Sequence, residues 1–149
     1  MPIAAGWMLL LPLSAGAMLP TQAGCNGQIA RHISSFMGAS LISFSVGTLA
    51  IFIVTLCLRE LPSVTALKGL NAWQWSTGMM GAFYICTAVL VAPKIGASLF
   101  MALILAGQLT MAITLDHFGW AGYKQTPISL EKIAGVLLIF VGVILIRRG

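Results

Sequence analysis

The stretch FMGASLISFSVGTLAIFIVTLCL, residues 36–58, contains no charged side chain anywhere along its length. At 1.5 Å per residue, a helix of about 23 residues extends roughly 35 Å, enough to cross the hydrocarbon core of a bilayer, which is about 30 Å thick. Backbone polar groups cannot stay unpaired in lipid, so a spanning segment of this kind must be helical. The stretch therefore predicts a transmembrane helix.

Four more apolar segments repeat this pattern on either side of it. The predicted helices cover residues 3–30, 36–58, 72–92, 95–116 and 130–147. The composition agrees, because 59% of the residues are hydrophobic and 7% are charged, whereas a soluble domain has about 25% charged residues. We predict an all-α polytopic membrane protein in which residues 1–149 form a single transmembrane domain of five helices in the lipid bilayer.

The sequence contains no pattern typical of an enzyme or a metalloprotein. Its three cysteines, Cys25, Cys57 and Cys86, lie far apart, and His32 and His117 are not at ligand spacing. There is no glycine-rich phosphate loop and no nucleophile elbow. We therefore predict no catalytic residues, no metal site and no cofactor. The net charge of +5 comes from basic residues spread singly along the chain, which favours membrane anchors over a nucleic-acid partner.

Basic residues are balanced between the two sides of the predicted membrane domain. The side that holds the N-terminus has Arg59, Lys68, Lys124 and Lys132, and the opposite side has Arg31, Lys94, Arg147 and Arg148. The positive-inside rule then gives no preferred orientation. We expect insertion in both orientations and pairing of two copies as an antiparallel homodimer of ten helices, an inverted arrangement common among transporters. Eight charges also balance by chance, so a fixed orientation stays open.

The last predicted helix has two glycines on one face, Gly135 and Gly142, seven residues apart. Small residues let membrane helices approach each other closely. This spacing predicts a dimer interface on the fifth helix. Packing within the chain is the alternative interpretation.

Several groups of residues follow one another in an order that resembles a known family. They are Leu19-Pro20-Thr21-Gln22 with Asn26, Gly81-Ala82-Phe83-Tyr84, Ala92-Pro93-Lys94-Ile95-Gly96-Ala97, and Gly107-Gln108-Leu109 with Asp116-His117-Phe118-Gly119. Together they resemble the five-helix YdcZ-type inner-membrane exporters of the drug/metabolite transporter superfamily. The stretch from Gly135 to Val143 resembles the dimerisation motif of the related small multidrug resistance proteins. The resemblance implies an EamA-like half-transporter in the bacterial inner membrane that exports small molecules.

The sequence departs from the small multidrug resistance pattern in its first helix. Those proteins use a membrane-embedded glutamate in that helix to exchange protons and substrate. Here the first apolar segment has no acidic residue, and its nearest polar groups are Ser14, Gln22 and Asn26. The resemblance therefore does not imply their mechanism of cationic-drug antiport.

Two of the other apolar segments have a polar face. Helical spacing aligns Gly107, Thr110, Thr114 and His117 with Gln108 beside them, and in the third segment it aligns Gln74, Thr77, Gly81 and Tyr84. Such faces are unfavourable against lipid and are typical of helix contacts or a wet cavity. We expect them to line a central pocket. The predicted substrate-binding residues are Gln22, Asn26, Tyr84 and Gln108.

An acid and a histidine, Asp116 and His117, end the fourth apolar segment. One interpretation is gating or proton coupling, because histidine titrates near neutral pH and a shielded carboxylate can shift towards that range. The other interpretation is structural, with Asp116 paired to Lys124 or to backbone donors of the following loop. The sequence leaves both open.

These observations predict a secondary active transporter of a small organic molecule, working as an exporter by alternating access in a dual-topology homodimer. Two alternatives remain. The chain could be half of an obligate heterodimeric transporter whose partner has the opposite charge bias. It could also be a non-transporting membrane scaffold or accessory subunit, although polar residues within apolar helices argue against that role.

Overall fold

The computed structural model describes the backbone of residues 6–149 and the side chains of residues 8–149, so residues 3–5 of the first predicted helix lie outside the described residues. Within this range every regular element is helical, which confirms the all-α class. The helices are α1 (Gly6–His32), α2 (Phe36–Leu58), α3 (Val64–Lys68), α4 (Ala72–Trp75), α5 (Thr77–Ile95), α6 (Ala97–Phe118) and α7 (Leu130–Arg148). The chain divides into an N-terminal unit that ends at Lys94 and a C-terminal unit, Ile95–Gly149.

Four helical stretches in the described part of the chain are long and apolar enough to cross a bilayer. They are Met8–His32, Phe36–Leu58, Ala72–Ile95 and Ala97–Phe118. The fifth predicted span, α7, is not among them. Glu131 and Lys132 begin this helix and Arg147 and Arg148 end it, which leaves an uncharged stretch of about 14 residues, or roughly 21 Å. That is shorter than the hydrocarbon core, so a crossing by α7 stays a prediction.

The core of the N-terminal unit consists of small and branched side chains from α2 and α5. Ala39, Ile85 and Val89 form it, with Ile29, Ala30 and Cys86 packed against it. On α1, a methyl group added at the buried Gly27 would lie 3.0 Å from Cγ of Pro93. Glycine is therefore the residue that allows α1 to approach α5 this closely, as expected of small residues at membrane helix contacts.

The third predicted helix is interrupted near its start. The Gln74 side chain accepts a hydrogen bond from the backbone N–H of Asn71 over 2.8 Å, which forms the capping box of the short helix α4. After Ser76 a second helix, α5, begins at Thr77. The Gln74 side chain thus caps a helix end, and its place on a cavity-lining face with Tyr84 stays a prediction.

The end of α5 also differs from the sequence expectation. The predicted helices 72–92 and 95–116 leave Pro93 and Lys94 between them as a connection. Proline also disfavours helical backbone in the residue before it and removes one hydrogen bond. The helix instead continues through both residues to Ile95. The break falls at Gly96, whose φ of 86° lies in the region that favours glycine.

In the C-terminal unit, α6 and α7 pack against each other. The connection begins with Gly119 at φ 66°, which ends α6. A methyl group at this glycine would lie 3.2 Å from Cβ of Gln125, so the loop folds back tightly at this point. Ser129 is the N-cap of α7, because its hydroxyl accepts a hydrogen bond from the Lys132 backbone N–H.

Candidate functional site

Two predicted substrate residues meet at one hydroxyl group in the N-terminal unit. The side-chain amide of Gln22 donates to Oγ of Ser43 over 3.4 Å, and that of Asn26 donates to the same oxygen over 3.2 Å. Gln22 and Asn26 are four residues apart on α1 and therefore share a face. We call these three residues the Ser43 cluster. It places amide groups of α1 against α2 within two candidate membrane spans.

Ser43 itself was not predicted as a site residue. In the sequence it belongs to a stripe of small residues, Ala39, Ser43 and Gly47, and such stripes are typical of helix packing surfaces. Asn26 is only 4% exposed, and a buried amide needs a hydrogen-bond partner. The need for an acceptor opposite Asn26 is the signal that could have identified Ser43.

Tyr84, the third predicted substrate residue, has a different environment. Its hydroxyl oxygen is buried and has no hydrogen-bond partner among the described residues. Buried polar atoms are nearly always paired with protein or water, so this oxygen is available to a bound molecule. No hydrogen bond in the described range joins it to the Ser43 cluster.

The C-terminal unit contains a second polar cluster along one side of α6. A groove of about 310 Å³ is lined there by Gln108, Met111, Ala112, Leu115, Asp116 and Tyr123. We call it the α6 groove. Gln108 and Asp116 are eight residues apart, about two helical turns, so they lie on the same side of the helix. The structure therefore brings the predicted residues Gln108 and Asp116 together.

Tyr123 is a groove residue that the sequence analysis missed. It follows the 3-10 turn Trp120–Gly122 in the loop after α6 and contributes to the same groove as Gln108. The return of this loop depends on Gly119, because its left-handed backbone reverses the chain. The reversal of the chain at Gly119 brings the Tyr123 ring to α6. The spacing between Gln108 and Tyr123 in the sequence does not indicate this contact.

The Asp116 carboxylate pairs with a lysine other than Lys124, which the structural interpretation named as one possible partner. Its Oδ2 lies 3.8 Å from Nζ of Lys132, with 40% of the Asp116 side chain and 31% of the Lys132 side chain exposed. The first turn of α7 provides the ammonium group instead, because α7 packs against α6. At 3.8 Å the pair is an ion pair without a direct hydrogen bond.

The following loop also bonds to Asp116, but at its backbone carbonyl rather than at its carboxylate. The Thr126 N–H donates to the Asp116 carbonyl oxygen over 2.7 Å. This hydrogen bond joins the loop at Thr126 to the last turn of α6. The carboxylate is not used in it and remains at the groove.

His117 is held by the loop. Its Nδ1 accepts a hydrogen bond from the Ile128 N–H over 3.4 Å, and its carbonyl oxygen accepts one from the Gln125 side chain over 3.1 Å. Its ring packs edge-on against Phe118 at 4.8 Å. These contacts favour the structural interpretation of His117, which lies beside the α6 groove and is not one of its lining residues.

The threonines of the predicted polar face lie in a separate cleft. Thr110 and Thr114 line a space of about 220 Å³ together with side chains of the loop and α7, namely Ile128, Ile133, Val136 and Leu137. Their hydroxyls donate to Ala106 O and Thr110 O, each one turn earlier, over 2.8 and 2.9 Å. Because these hydroxyls are bonded to carbonyl groups of their own helix, the two threonines present mainly apolar surface to the cleft. Of the residues predicted for this face, Gln108 is the one that lines the α6 groove.

The two glycines of α7 have free space beside them. An added methyl group at Gly135 or at Gly142 would meet no atom within 4 Å among the described residues. Packing within the described chain therefore does not explain why these positions lack a side chain. Another helix could approach closely here.

Metal ligation finds no support in the described part of the chain. Within residues 8–149 no three histidine, cysteine, aspartate or glutamate side chains converge. Cys25, Cys57 and Cys86 are free thiols. The chemistry available in the two polar clusters is therefore that of amides, hydroxyls and one carboxylate.

Comparison with known protein families gives one match that covers most of the chain. The sequence profile of the family described as "Putative inner membrane exporter, YdcZ" matches residues 7–145. The matched range includes the Ser43 cluster, the α6 groove and both glycines of α7. Comparisons with curated proteins and with solved structures give no significant match.

Proposed function

We propose that this chain, which belongs to the YdcZ family of inner-membrane exporters, transports a small organic molecule by secondary active transport. It is a multi-pass protein of the inner membrane, with four helical stretches able to cross the bilayer. Transport proceeds by alternating access, and the working unit is a dual-topology homodimer.

The α6 groove is the observation that supports this proposal most directly. It brings together the amide of Gln108 and the carboxylate of Asp116, both on the membrane helix α6, and the phenol of Tyr123 from the following loop. Polar groups within a membrane span are costly and typically mark a substrate or ion pathway. A volume of about 310 Å³ is at the lower end of the range for small-molecule sites, which favours a small substrate.

Each lining group has a distinct role in the proposed site. Gln108 orients the substrate, since its amide both donates and accepts hydrogen bonds. Asp116 accepts hydrogen bonds from a donor or a cationic group of the substrate. The ring of Tyr123 provides an aromatic face, which suits apolar and cationic groups alike.

Coupling and gating are proposed for Asp116 and His117. The Lys132 ammonium is 3.8 Å from the Asp116 carboxylate, close enough to neutralise it and too far for a direct hydrogen bond. A substrate donor or a proton can therefore replace Lys132 as the partner. His117 holds the loop that carries Tyr123, so movement of this loop opens and closes the groove.

Gln22, Asn26 and Tyr84 are proposed as further substrate contacts in the N-terminal unit. The unpaired hydroxyl of Tyr84 supports this role for the tyrosine. The amide oxygen of Asn26 supports it for the Ser43 cluster, because the amide nitrogen alone is used in the bond to Ser43.

The dimer is supported by charge balance and by free space on α7. Four basic residues on each side of the predicted membrane domain give no preferred orientation. The faces of Gly135 and Gly142 are open, and we propose that they form the contact between the two copies.

Orientation is tested with two C-terminal reporter fusions, one active only in the cytoplasm and the other only in the periplasm. Each fusion is expressed alone. Comparable activity of both supports the dual-topology homodimer. Activity of one alone contradicts it and points to half of a heterodimer with an oppositely oriented partner.

Transport is tested by flux of candidate small molecules through the pure protein in vesicles. Gln108→Ala is expected to abolish flux with insertion and dimer content unchanged. Thr114→Ala is the matched control, since this hydroxyl is bonded to its own helix, and it should retain flux. Absence of flux together with a stable complex with a larger enzyme would support the scaffold role instead.

A further inference from the structure

Two basic side chains in the N-terminal unit line one groove at the end of two membrane helices. Arg31 is in the last turn of α1 and Lys94 is in the last turn of α5. Between them is an open groove of about 370 Å³, whose wall includes Phe36, Val89, Leu90 and Pro93. It is separate from the Ser43 cluster and from the α6 groove, and no step of the proposed transport uses it.

The charges of Arg31 and Lys94 lack an acidic partner. The chain has only three acidic residues. The ion pair found in the described residues joins Asp116 to Lys132, and neither Arg31 nor Lys94 takes part in one. The C-terminal dipole of each helix offsets about half a unit charge, so the groove retains a net positive charge.

The wall between the two cations is apolar and partly exposed. Phe36 is 43% exposed and Leu90 is 40% exposed. A free hydrophilic anion would gain nothing from these side chains. A molecule with an anionic head and a hydrocarbon tail would satisfy the cations and cover Phe36 and Leu90 at the same time.

The position of the groove matches the level of lipid headgroups. Arg31 and Lys94 are each next to the last residue of a candidate membrane span, Met8–His32 and Ala72–Ile95. Basic residues at span ends lie at the boundary between hydrocarbon and water. A basic pocket between helices at this depth meets the phosphate of an anionic lipid.

We propose that the groove binds the headgroup of an anionic phospholipid. The Arg31 guanidinium donates hydrogen bonds to the lipid phosphate in a forked geometry. The Lys94 ammonium supplies the second positive charge. An acyl chain of the same lipid lies along Leu90 and Phe36.

The experiment is native mass spectrometry of the detergent-solubilised full chain during titration with phosphatidylglycerol or with phosphatidylcholine of the same acyl chains. The chain is expected to bind phosphatidylglycerol more tightly. In the double variant Arg31→Gln/Lys94→Gln, binding of phosphatidylglycerol should weaken about 25-fold, or about fivefold per cation. Binding of phosphatidylcholine should not change.

Arg147→Gln/Arg148→Gln is the matched control, because it removes the same charge from another helix end and should leave the lipid affinity unchanged. An equal loss in this control would overturn the proposal by showing diffuse attraction. Equal binding of both lipids to the wild type would overturn it as well. Displacement of phosphatidylglycerol by equimolar inorganic phosphate would identify a free-anion site and contradict the lipid.

Three further variants still test the proposal if the neutral double variant fails to fold. Arg31→Lys/Lys94→Arg preserves both charges and should retain the preference for phosphatidylglycerol. Either single variant, Arg31→Gln or Lys94→Gln, should weaken binding about fivefold. A folded single variant with wild-type affinity would exclude that residue from the site.

Discussion

The side-chain amide of Asn26 donates a hydrogen bond to the hydroxyl oxygen of Ser43 over 3.2 Å and thereby joins α1 to α2. Asn26 is 4% exposed, so water cannot easily replace this partner. Gln22 donates to the same oxygen over 3.4 Å. One hydroxyl thus serves two amides inside apolar helices, where an unpaired amide is costly.

Replacement of Ser43 with alanine should therefore destabilise the protein. Interhelical hydrogen bonds in membranes contribute about 0.6 kcal/mol each on average, so loss of two should lower the free energy of unfolding by about 1 kcal/mol. The measurement is unfolding in mixed detergent micelles followed by circular dichroism. Ser45→Ala, two positions along the same helix and exposed, is the control and should have no effect. Equal loss in both variants would show that the Ser43 bonds contribute nothing.

The pair of Asp116 and Lys132 should show a small coupling energy. Both side chains are partly exposed, and ion pairs in such settings contribute about 0.2–1 kcal/mol. A double-mutant cycle with Asp116→Asn and Lys132→Gln measures this coupling from unfolding free energies. A parallel cycle with Lys124→Gln should give no coupling. Coupling to Lys124 in place of Lys132 would contradict the observed pairing.

The turn after α6 should not tolerate a side chain at Gly119. Alanine there would have to adopt the left-handed backbone, which costs about 1–2 kcal/mol, and its methyl group would crowd Cβ of Gln125 at 3.2 Å. We expect Gly119→Ala to lower the unfolding free energy by about that amount. Gly107→Ala is the control, since that position is helical with free space, and it should be neutral or stabilising by up to about 1 kcal/mol. Similar effects of both variants would rule out a special role of the turn.

A large side chain on the glycine face of α7 should dissociate the proposed homodimer. Leucine at Gly142 would prevent close approach of a second helix, so Gly142→Leu should shift the detergent-solubilised protein towards monomer. The measurement is light scattering coupled to size-exclusion chromatography. Ala134→Leu adds a comparable side chain about 100° from Gly135 around the helix and should leave the dimer intact. A dimer unchanged by Gly142→Leu would exclude this face as the interface.

The long helices were predictable because their signal is local. An uncharged apolar stretch of spanning length admits only a helix in lipid, and α2 begins and ends where the sequence analysis placed it, at Phe36 and Leu58. The helix ends that differ from the predicted bounds depend on specific contacts between helices. α5 continues through Pro93 where α1 packs against it at Gly27, and a contact between residues so far apart in the chain leaves no trace in local composition.

The candidate site was predictable only in part, for a similar reason. Helical periodicity placed Gln108 beside a face that includes Thr110, Thr114 and His117, whereas in the structure Gln108 shares the α6 groove with Asp116. Periodicity does not reveal that the Thr110 and Thr114 hydroxyls are bonded to their own helix. The involvement of Lys132 and Tyr123 depends on how the loop and α7 fold back, which residue spacing does not specify.

The short uncharged stretch of α7 makes its place in the membrane depend on bilayer thickness. Roughly 21 Å of apolar helix is best matched by a membrane thinner than average. The side chains of Lys132, Arg147 and Arg148 can extend to the headgroups, and the remaining mismatch costs a fraction of a kcal/mol per ångström. Lipids with short acyl chains would therefore favour a transmembrane α7, and long chains would favour one that rests on the surface. Acyl-chain length would then control the fraction of copies whose α7 spans the membrane and can present Gly135 and Gly142 to a second copy.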